Sequence, residues 1–202
     1  MADSDAVIVA ATRTPTGRFL GGLSSLAATD LGGIVIREAI RRAGAPVERI
    51  DEVLMGNVVQ AGAGQAPARQ AALKGGVPGD VSAVTINMVC GSGMRAVMLA
   101  TQAIKAGDGE LFVAGGMESM SNAPYLLLKG RQGYRYGHST VYDHMALDGL
   151  EDAYQKGTAM GVFAEDCASK YHFTREEQDA FSLESLKRAR AANEDGSFEW
   201  EM

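Results

Sequence analysis

Cys90 is the residue in this chain best placed to do covalent chemistry. It lies in Val84-Thr85-Ile86-Asn87-Met88-Val89-Cys90-Gly91-Ser92-Gly93-Met94-Arg95-Ala96-Val97. An apolar, β-branched run leads into the cysteine, two glycines flank Ser92 just after it, and an apolar-periodic stretch follows. The pattern predicts strand, tight turn and helix, with the thiol at the turn or in the first helical turn. A thiol there meets unpaired backbone N–H groups and the positive end of the helix dipole, which favour thiolate. Thiolate is the nucleophilic form, so the placement suits covalent catalysis. The local pattern alone fits a buried, inert core cysteine equally well.

Other reactive residue types give weaker signals. His138 and His144, near Asp143, invite a metal reading, but their spacing does not put two ligands on one helical face and no cysteine cluster joins them, so no metal is expected. Gly62-x-Gly64 and Gly91-x-Gly93 lack the third glycine and downstream acid of a dinucleotide fingerprint. Lys129, Arg131 and Arg135 read as a solvated basic face, and Arg69 as one half of a structural ion pair. Glu118, after a glycine turn, reads as a cap or a hydrogen-bonded carboxylate, and Asn87 as a residue that orders the turn below Cys90.

These residues must be positioned by alternating elements. Ala6 to Ala11 is a short apolar run and reads as a buried strand. Asp30 is expected to cap a helix that ends near Gly44. Val53 to Val58 is a strand, Ala66 to Leu73 a helix, Thr85 to Val89 a strand, Met94 to Ala106 a helix and Leu111 to Ala114 a strand. Such alternation implies an α/β layered fold with a mixed, largely parallel sheet. The pattern breaks after Met120, and 122–149 reads as a long loop that is functional or packed against another chain. Leu150 to Tyr171 and Arg175 to Asn193 read as amphipathic helices, with Thr174 and Glu177 forming a capping box before the second. A boundary falls near Ser121, dividing the chain into 1–121 and 122–202.

Composition is that of an ordinary globular protein: 202 residues, 46% hydrophobic and 22% charged. A net charge of −6 gives no general attraction to nucleic acid or anionic membrane, so neither is expected as a partner. Two cysteines in unlike contexts make no disulfide framework, and a working thiolate suits a reducing compartment. The acidic start Met1-Ala2-Asp3-Ser4-Asp5 lacks the pattern of a signal peptide, and no apolar run is long enough to span a bilayer; a cytoplasmic location is expected.

Asn87-Met88-Val89-Cys90-Gly91-Ser92-Gly93 resembles the nucleophile motif of thiolases, the acetyl-CoA acetyltransferase family. Four further blocks, in the family's order, extend the resemblance. They are Ala11-Thr12-Arg13-Thr14-Pro15-Thr16-Gly17-Arg18-Phe19; Gly56-Asn57-Val58 with Gly64-Gln65-Ala66-Pro67-Ala68-Arg69-Gln70-Ala71-Ala72; Ala114-Gly115-Gly116-Met117-Glu118-Ser119-Met120-Ser121; and Met160-Gly161 with Ala164-Glu165 and Arg175-Glu176-Glu177-Gln178-Asp179. Thiolases continue into a second domain carrying a Gly-His-Pro histidine and a Cys-x-Gly cysteine. Neither motif occurs in this sequence, so the resemblance is to the N-terminal half.

The resemblance implies an N-terminal α/β domain over 1–121 and a CoA-covering loop region over 122–202. It implies that Cys90 takes the acyl group of an acyl-CoA as a thioester, with its own backbone N–H in the oxyanion site and with Gly91 and Gly93 permitting the turn. Met160 matches a residue near the acyl pocket and Leu150 a position touching CoA; ordinary core packing explains both equally from the residues alone. Ala159 stands where short-chain biosynthetic thiolases commonly carry histidine, which weakens the expectation of strict acetyl specificity. Coenzyme A enters as substrate and product, with no resident cofactor. The expected reaction is condensation of two acetyl-CoA or thiolysis of a 3-ketoacyl-CoA, and without the second catalytic set this chain is expected not to turn over alone. The alternatives are a ketoacyl-synthase-type condensing enzyme and a catalytically dead CoA-binding or oligomerisation module. A homodimer through Thr85 to Val89, or a tetramer through about Tyr125 to Met145, is implied as well.

Overall fold

The computed structural model describes residues 5–202. Its central sheet has three five-residue strands, β1 (Glu52–Gly56), β2 (Ser82–Ile86) and β3 (Phe112–Gly116), all parallel in the order β2-β1-β3. Leu54 at the middle of β1 pairs with Val84 on one side and Ala114 on the other. A central parallel strand is covered on both faces, which is why Val53-Leu54-Met55 is apolar without alternation. Its side chains still alternate in direction. Val53 and Met55 pack with α1 (Ala28–Ala43) and α2 (Pro67–Lys74) around Ile36, Ala71 and Val77, whereas Leu54 packs with Ala96 and Ala100 of α3 (Ser92–Ala106). The α/β layered fold expected from the sequence is therefore present, with the main sheet wholly parallel.

Local signals set most helix ends. Pro67 begins α2, where its missing N–H costs nothing. Gly44 and Gly107 close α1 and α3 in the left-handed conformation that glycine adopts without strain. Asp30 works from the third position of α1 rather than as the cap itself, its carboxylate accepting from Ala27 N–H at 3.1 Å.

Four expectations change. Residues 6–11 form no strand, and Val7, Ile8 and Val9 are exposed. An apolar run becomes a strand only when a neighbour supplies ladder bonds; this one instead lines a hollow of about 430 Å³ beside β3, α1 and α3. β2 ends at Ile86, three residues before the predicted Val89, because Asn87 turns the chain by accepting from Val89 N–H through its side chain. In 122–149 a short antiparallel ladder joins β4 (Tyr125–Leu126) to β5 (Tyr142–Asp143), and a π-helical turn follows at Ala146–Leu150. The helix expected from Leu150 starts only at Met160. Asp152 folds the preceding stretch by accepting from Tyr154 and Gln155 N–H, and Gly157 takes a left-handed turn.

Contacts divide the chain into two compact units, one ending at Gly149 and one spanning Leu150–Met202. The sequence boundary near Ser121 differs because 122–149 is tied into the first unit. Asn122 donates to the carbonyls of Ser24 and Leu26, and Ala61 N–H donates to His144. The second unit contains α4 (Met160–Tyr171) and α5 (Arg175–Glu194), the latter opened by the expected reciprocal Thr174 and Glu177 bonds. None of its residues is buried.

Candidate active site

The C-terminal edge of a parallel sheet is where such folds present reactive groups, and Cys90 stands there, exposed, on the turn between β2 and α3. Ser92 locks that turn from within. Its hydroxyl accepts from Met88 N–H at 2.9 Å and donates to Val89 O at 2.6 Å. Gly91 N–H bonds Met88 O, Ser92 N–H bonds Val89 O, and Val89 N–H bonds the Asn87 side chain at 3.0 Å. None of these bonds uses the Cys90 N–H. Among the described residues no side chain hydrogen-bonds the Cys90 thiol.

The strained residue of the turn is Val89, with φ of 48°. A β-branched side chain in the left-handed region costs on the order of 1–3 kcal/mol and persists only where surrounding bonds hold it. Neither Gly91 nor Gly93 takes a positive φ, which corrects the expectation that these glycines supply the turn. A Cβ on Gly91 would meet the Met88 methyl at 2.6 Å, the end of a flexible, exposed side chain that can swing aside. A Cβ on Gly93 would find only ordinary contact, 3.8 Å from Gly115. Gly56, at the end of β1, is the tighter site: a Cβ would lie 2.6 Å from Ser92 Cβ and 2.9 Å from its backbone carbon. The Cys90 turn thus rests directly on the end of the central strand.

The exit of β1 is fixed by a carboxylate. Glu118, just beyond β3, accepts from Asn57 Nδ2 at 2.7 Å, Val58 N–H at 2.9 Å and Val59 N–H at 3.0 Å. Asn57 also donates to Met117 O, and its backbone N–H reaches Ile86 O, so one residue links the ends of all three strands. Glu118 is therefore a hydrogen-bonded carboxylate, as its glycine-turn setting suggested. Arg69 differs from expectation: it donates to the carbonyls of Val81 at 3.1 Å and Gly79 at 2.5 Å and bridges no carboxylate. A planar guanidinium can serve two carbonyls of one loop in place of an acid.

The predicted site residues fall into two groups. Asn87, Cys90, Gly91 and Gly93 share one turn in the first unit. Leu150 and Met160, both partly exposed, belong to the second. There the Glu151–Ala159 bridge and the Asp152 N–H bond to Thr158 O join the segments that carry them, and set Leu150 and Met160 at adjoining ends. Lys129, Arg131, Arg135 and His138 lie on the exposed part of the 122–149 segment. Sequence reasoning missed Ser92, Asn57 and the role of His144. Ser92 carried a signal, since a serine at a helix start commonly bonds nearby backbone; the other two depend on partners about 60 and 83 positions away. Among the described residues no group of three His, Cys, Asp or Glu is arranged to hold a metal ion.

Known proteins resemble this chain over nearly all of its length. Acetyl-CoA acetyltransferase 2 of Arabidopsis thaliana is 50% identical over 198 residues, 98% of this chain and 49% of that protein. The acetyl-CoA acetyltransferase of Escherichia coli K12 is 53% identical over 193 residues, 95% of this chain and 49% of that protein. Among solved structures, the Acat5 thiolase of Ascaris suum in complex with coenzyme A superposes with a TM-score of 0.94 at 41% identity, over 98% of this chain and 51% of that one. The chain thus spans about half the length of the curated relatives it matches. The family described as Thiolase, N-terminal domain matches residues 6–202, and the chain belongs to the thiolase family.

Proposed function

We propose that this chain supplies the acyl-accepting half of an acyl-CoA C-acyltransferase. The single observation that carries the reading is the exposed Cys90 on a locked, strained turn at the start of α3. The thiolate sulfur attacks the thioester carbonyl of an acyl-CoA. The carbonyl oxygen takes the negative charge, the Cys90 N–H donates to it, and the carbon–sulfur bond to CoA breaks as the intermediate collapses. The acyl group is left on Cys90 as a thioester and CoA departs as thiolate. One thioester replaces another, so the step is nearly balanced. Asn87 and Gly91 keep the turn in shape, Gly93 leaves the approach clear, and Leu150 and Met160 contact the CoA arm and acyl group.

In the whole enzyme a second acyl-CoA, deprotonated next to its carbonyl, attacks the acyl-cysteine to give a 3-ketoacyl-CoA; thiolysis is the reverse. This chain carries no Gly-His-Pro or Cys-x-Gly motif for that step, so it does not turn over alone. The family match favours this reading over a ketoacyl-synthase-type enzyme. The proposed division by function differs from the division by contact: residues 1–121 are assigned to the α/β domain and 122–202 to the cover over CoA, of which 122–149 is fastened to the first unit. Exposed Val84, Met88, Val89 and Met94 around the nucleophile turn support assembly into a homodimer or tetramer. No helix among the described residues is long and apolar enough to cross a membrane. The cytoplasm is proposed on a separate ground, that a working thiolate suits a reducing compartment.

The test is intact mass after brief incubation with acetyl-CoA, beside a Cys90→Ala control. An acetyl adduct on Cys90 that the control lacks is expected. A folded protein that takes no adduct would overturn the proposal that this half loads the acyl group.

A further inference from the structure

His144 is buried, with 5% of its surface exposed, and both ring nitrogens are engaged. Nε2 accepts from Ala61 N–H at 3.0 Å, and Nδ1 lies 2.6 Å from Asp148 Oδ2. A backbone N–H can only donate and a carboxylate accepts, so one arrangement satisfies both contacts: a neutral imidazole with its proton on Nδ1. The two bonds reach in different directions along the chain. Asp148 is four residues from His144, within the same segment. Ala61 is 83 positions away, two residues past the Val59 N–H that Glu118 holds.

We propose that His144 is a proton-sensitive latch fastening the 122–149 segment to the exit of β1. Protonation turns Nε2 into a donor facing the donor of Ala61, and the contact becomes repulsive. The bond to Asp148 survives protonation as an ion pair, but it joins the segment to itself and cannot hold it to β1. The neighbouring carboxylates are occupied: Glu118, beyond β3, by Asn57, Val58 and Val59 of the β1 exit, and Asp143, within the segment, by Met145 N–H at 2.8 Å. The backbone bond from His144 N–H to Pro124 O also lies within the segment. Acidification therefore releases the segment from the exit of β1, while β4, β5, the Asp148 pair and the Asn122 bonds to the Ser24 and Leu26 carbonyls stay in place. The inference stands whether or not Cys90 accepts an acyl group, because it uses no part of that chemistry.

The experiment is amide hydrogen exchange on the full 202-residue chain at pH 8 and at pH 5.5, corrected for intrinsic rates, beside nitrogen-15 spectra of the imidazole. At pH 8 the spectra are expected to show a neutral ring with a bare Nε2. On acidification, protection at Ala61 is expected to fall by ~10-fold or more, while the amides of β1 keep theirs. His144→Gln carries an acceptor and a donor that do not titrate, so it is expected to hold protection at both pH values. A proton on Nε2 at pH 8, protection at Ala61 that ignores pH, or an equal loss in the Gln variant would each overturn the latch.

Discussion

The two units reach helical structure by different routes. In the first, α1, α2 and α3 exist because a three-stranded sheet gives each a face to bury, and Ile36, Val53 and Met55 are almost wholly removed from solvent. In the second, α4 and α5 bury no residue, and Phe181, Leu183 and Leu186 stand exposed on α5. Those helices are defined by local devices: the Thr174–Glu177 capping box, the Arg188–Glu184 and Arg175–Asp179 pairs, and a left-handed His172 that ends α4. Such devices contribute only a few tenths of a kcal/mol to about 1 kcal/mol each. A local signal can say where a helix lies without supplying the burial that makes it stable.

The widest separation between the units is expected from truncating one apolar side chain in each. Met55→Ala removes a side chain that is 1% exposed and touches the main core, and should cost about 2–5 kcal/mol in urea unfolding. Leu186→Ala, at 49% exposure, should change the same midpoint by no more than about 0.5 kcal/mol. Equal losses would mean that the α5 face is packed against something in solution.

A smaller effect separates the nucleophile turn from the rest of the first unit. Gly56→Ala drives a methyl into Ser92 and should cost about 1–3 kcal/mol. It also pushes on the two Ser92 bonds that hold Val89, so Cys90 should be alkylated several-fold more slowly by iodoacetamide. Cys167, exposed on α4, is the internal control in the same molecule. A fall at both cysteines alike would show that the turn is not coupled to the end of β1.

This split also explains what could be read from the chain in advance. The order of strands and helices in the first unit was legible because burial on a sheet imposes a pattern on nearby residues, as in Val53-Leu54-Met55. The Cys90 turn was legible in kind, through the strand run before it and the glycines after it, but not in mechanism. The strain falls on Val89 and the lock on Ser92, and the glycine that makes room for the turn is Gly56 beneath it, which has no Cβ to meet Ser92. The Glu118 and His144 contacts had no local signature, since their partners are fixed by how strands and loops meet. The false strand at 6–11 has the opposite cause: apolar composition was present, but among the described residues no neighbour supplies its ladder bonds.

The smallest predicted effect compares two surface aspartates, one in each unit. Asp51 accepts from Leu111 N–H at 2.9 Å and Glu110 N–H at 2.7 Å, and these bonds hold its carboxyl below the usual aspartate range. Asp195 is lowered by the Ser197 hydroxyl and the Ser197 N–H. A carboxyl lowered in the folded state binds fewer protons there than in the unfolded chain, so its contribution is complete above the unfolded value and lost as pH falls through the folded one. The sign is the same for both residues, but the reach is not. Asp51 fastens the start of β1 to the start of β3, about 60 residues away, whereas Asp195 closes a turn two residues long. Acid should therefore weaken the first unit through Asp51 and leave it indifferent to Asp195. Asp51→Asn should flatten the acid limb of urea unfolding relative to the unaltered chain, and Asp195→Asn should leave that limb in place. A flattening of equal size from Asp195→Asn would show that the turn after α5 bears on the stability of the β-sheet unit, against the contrast drawn between them.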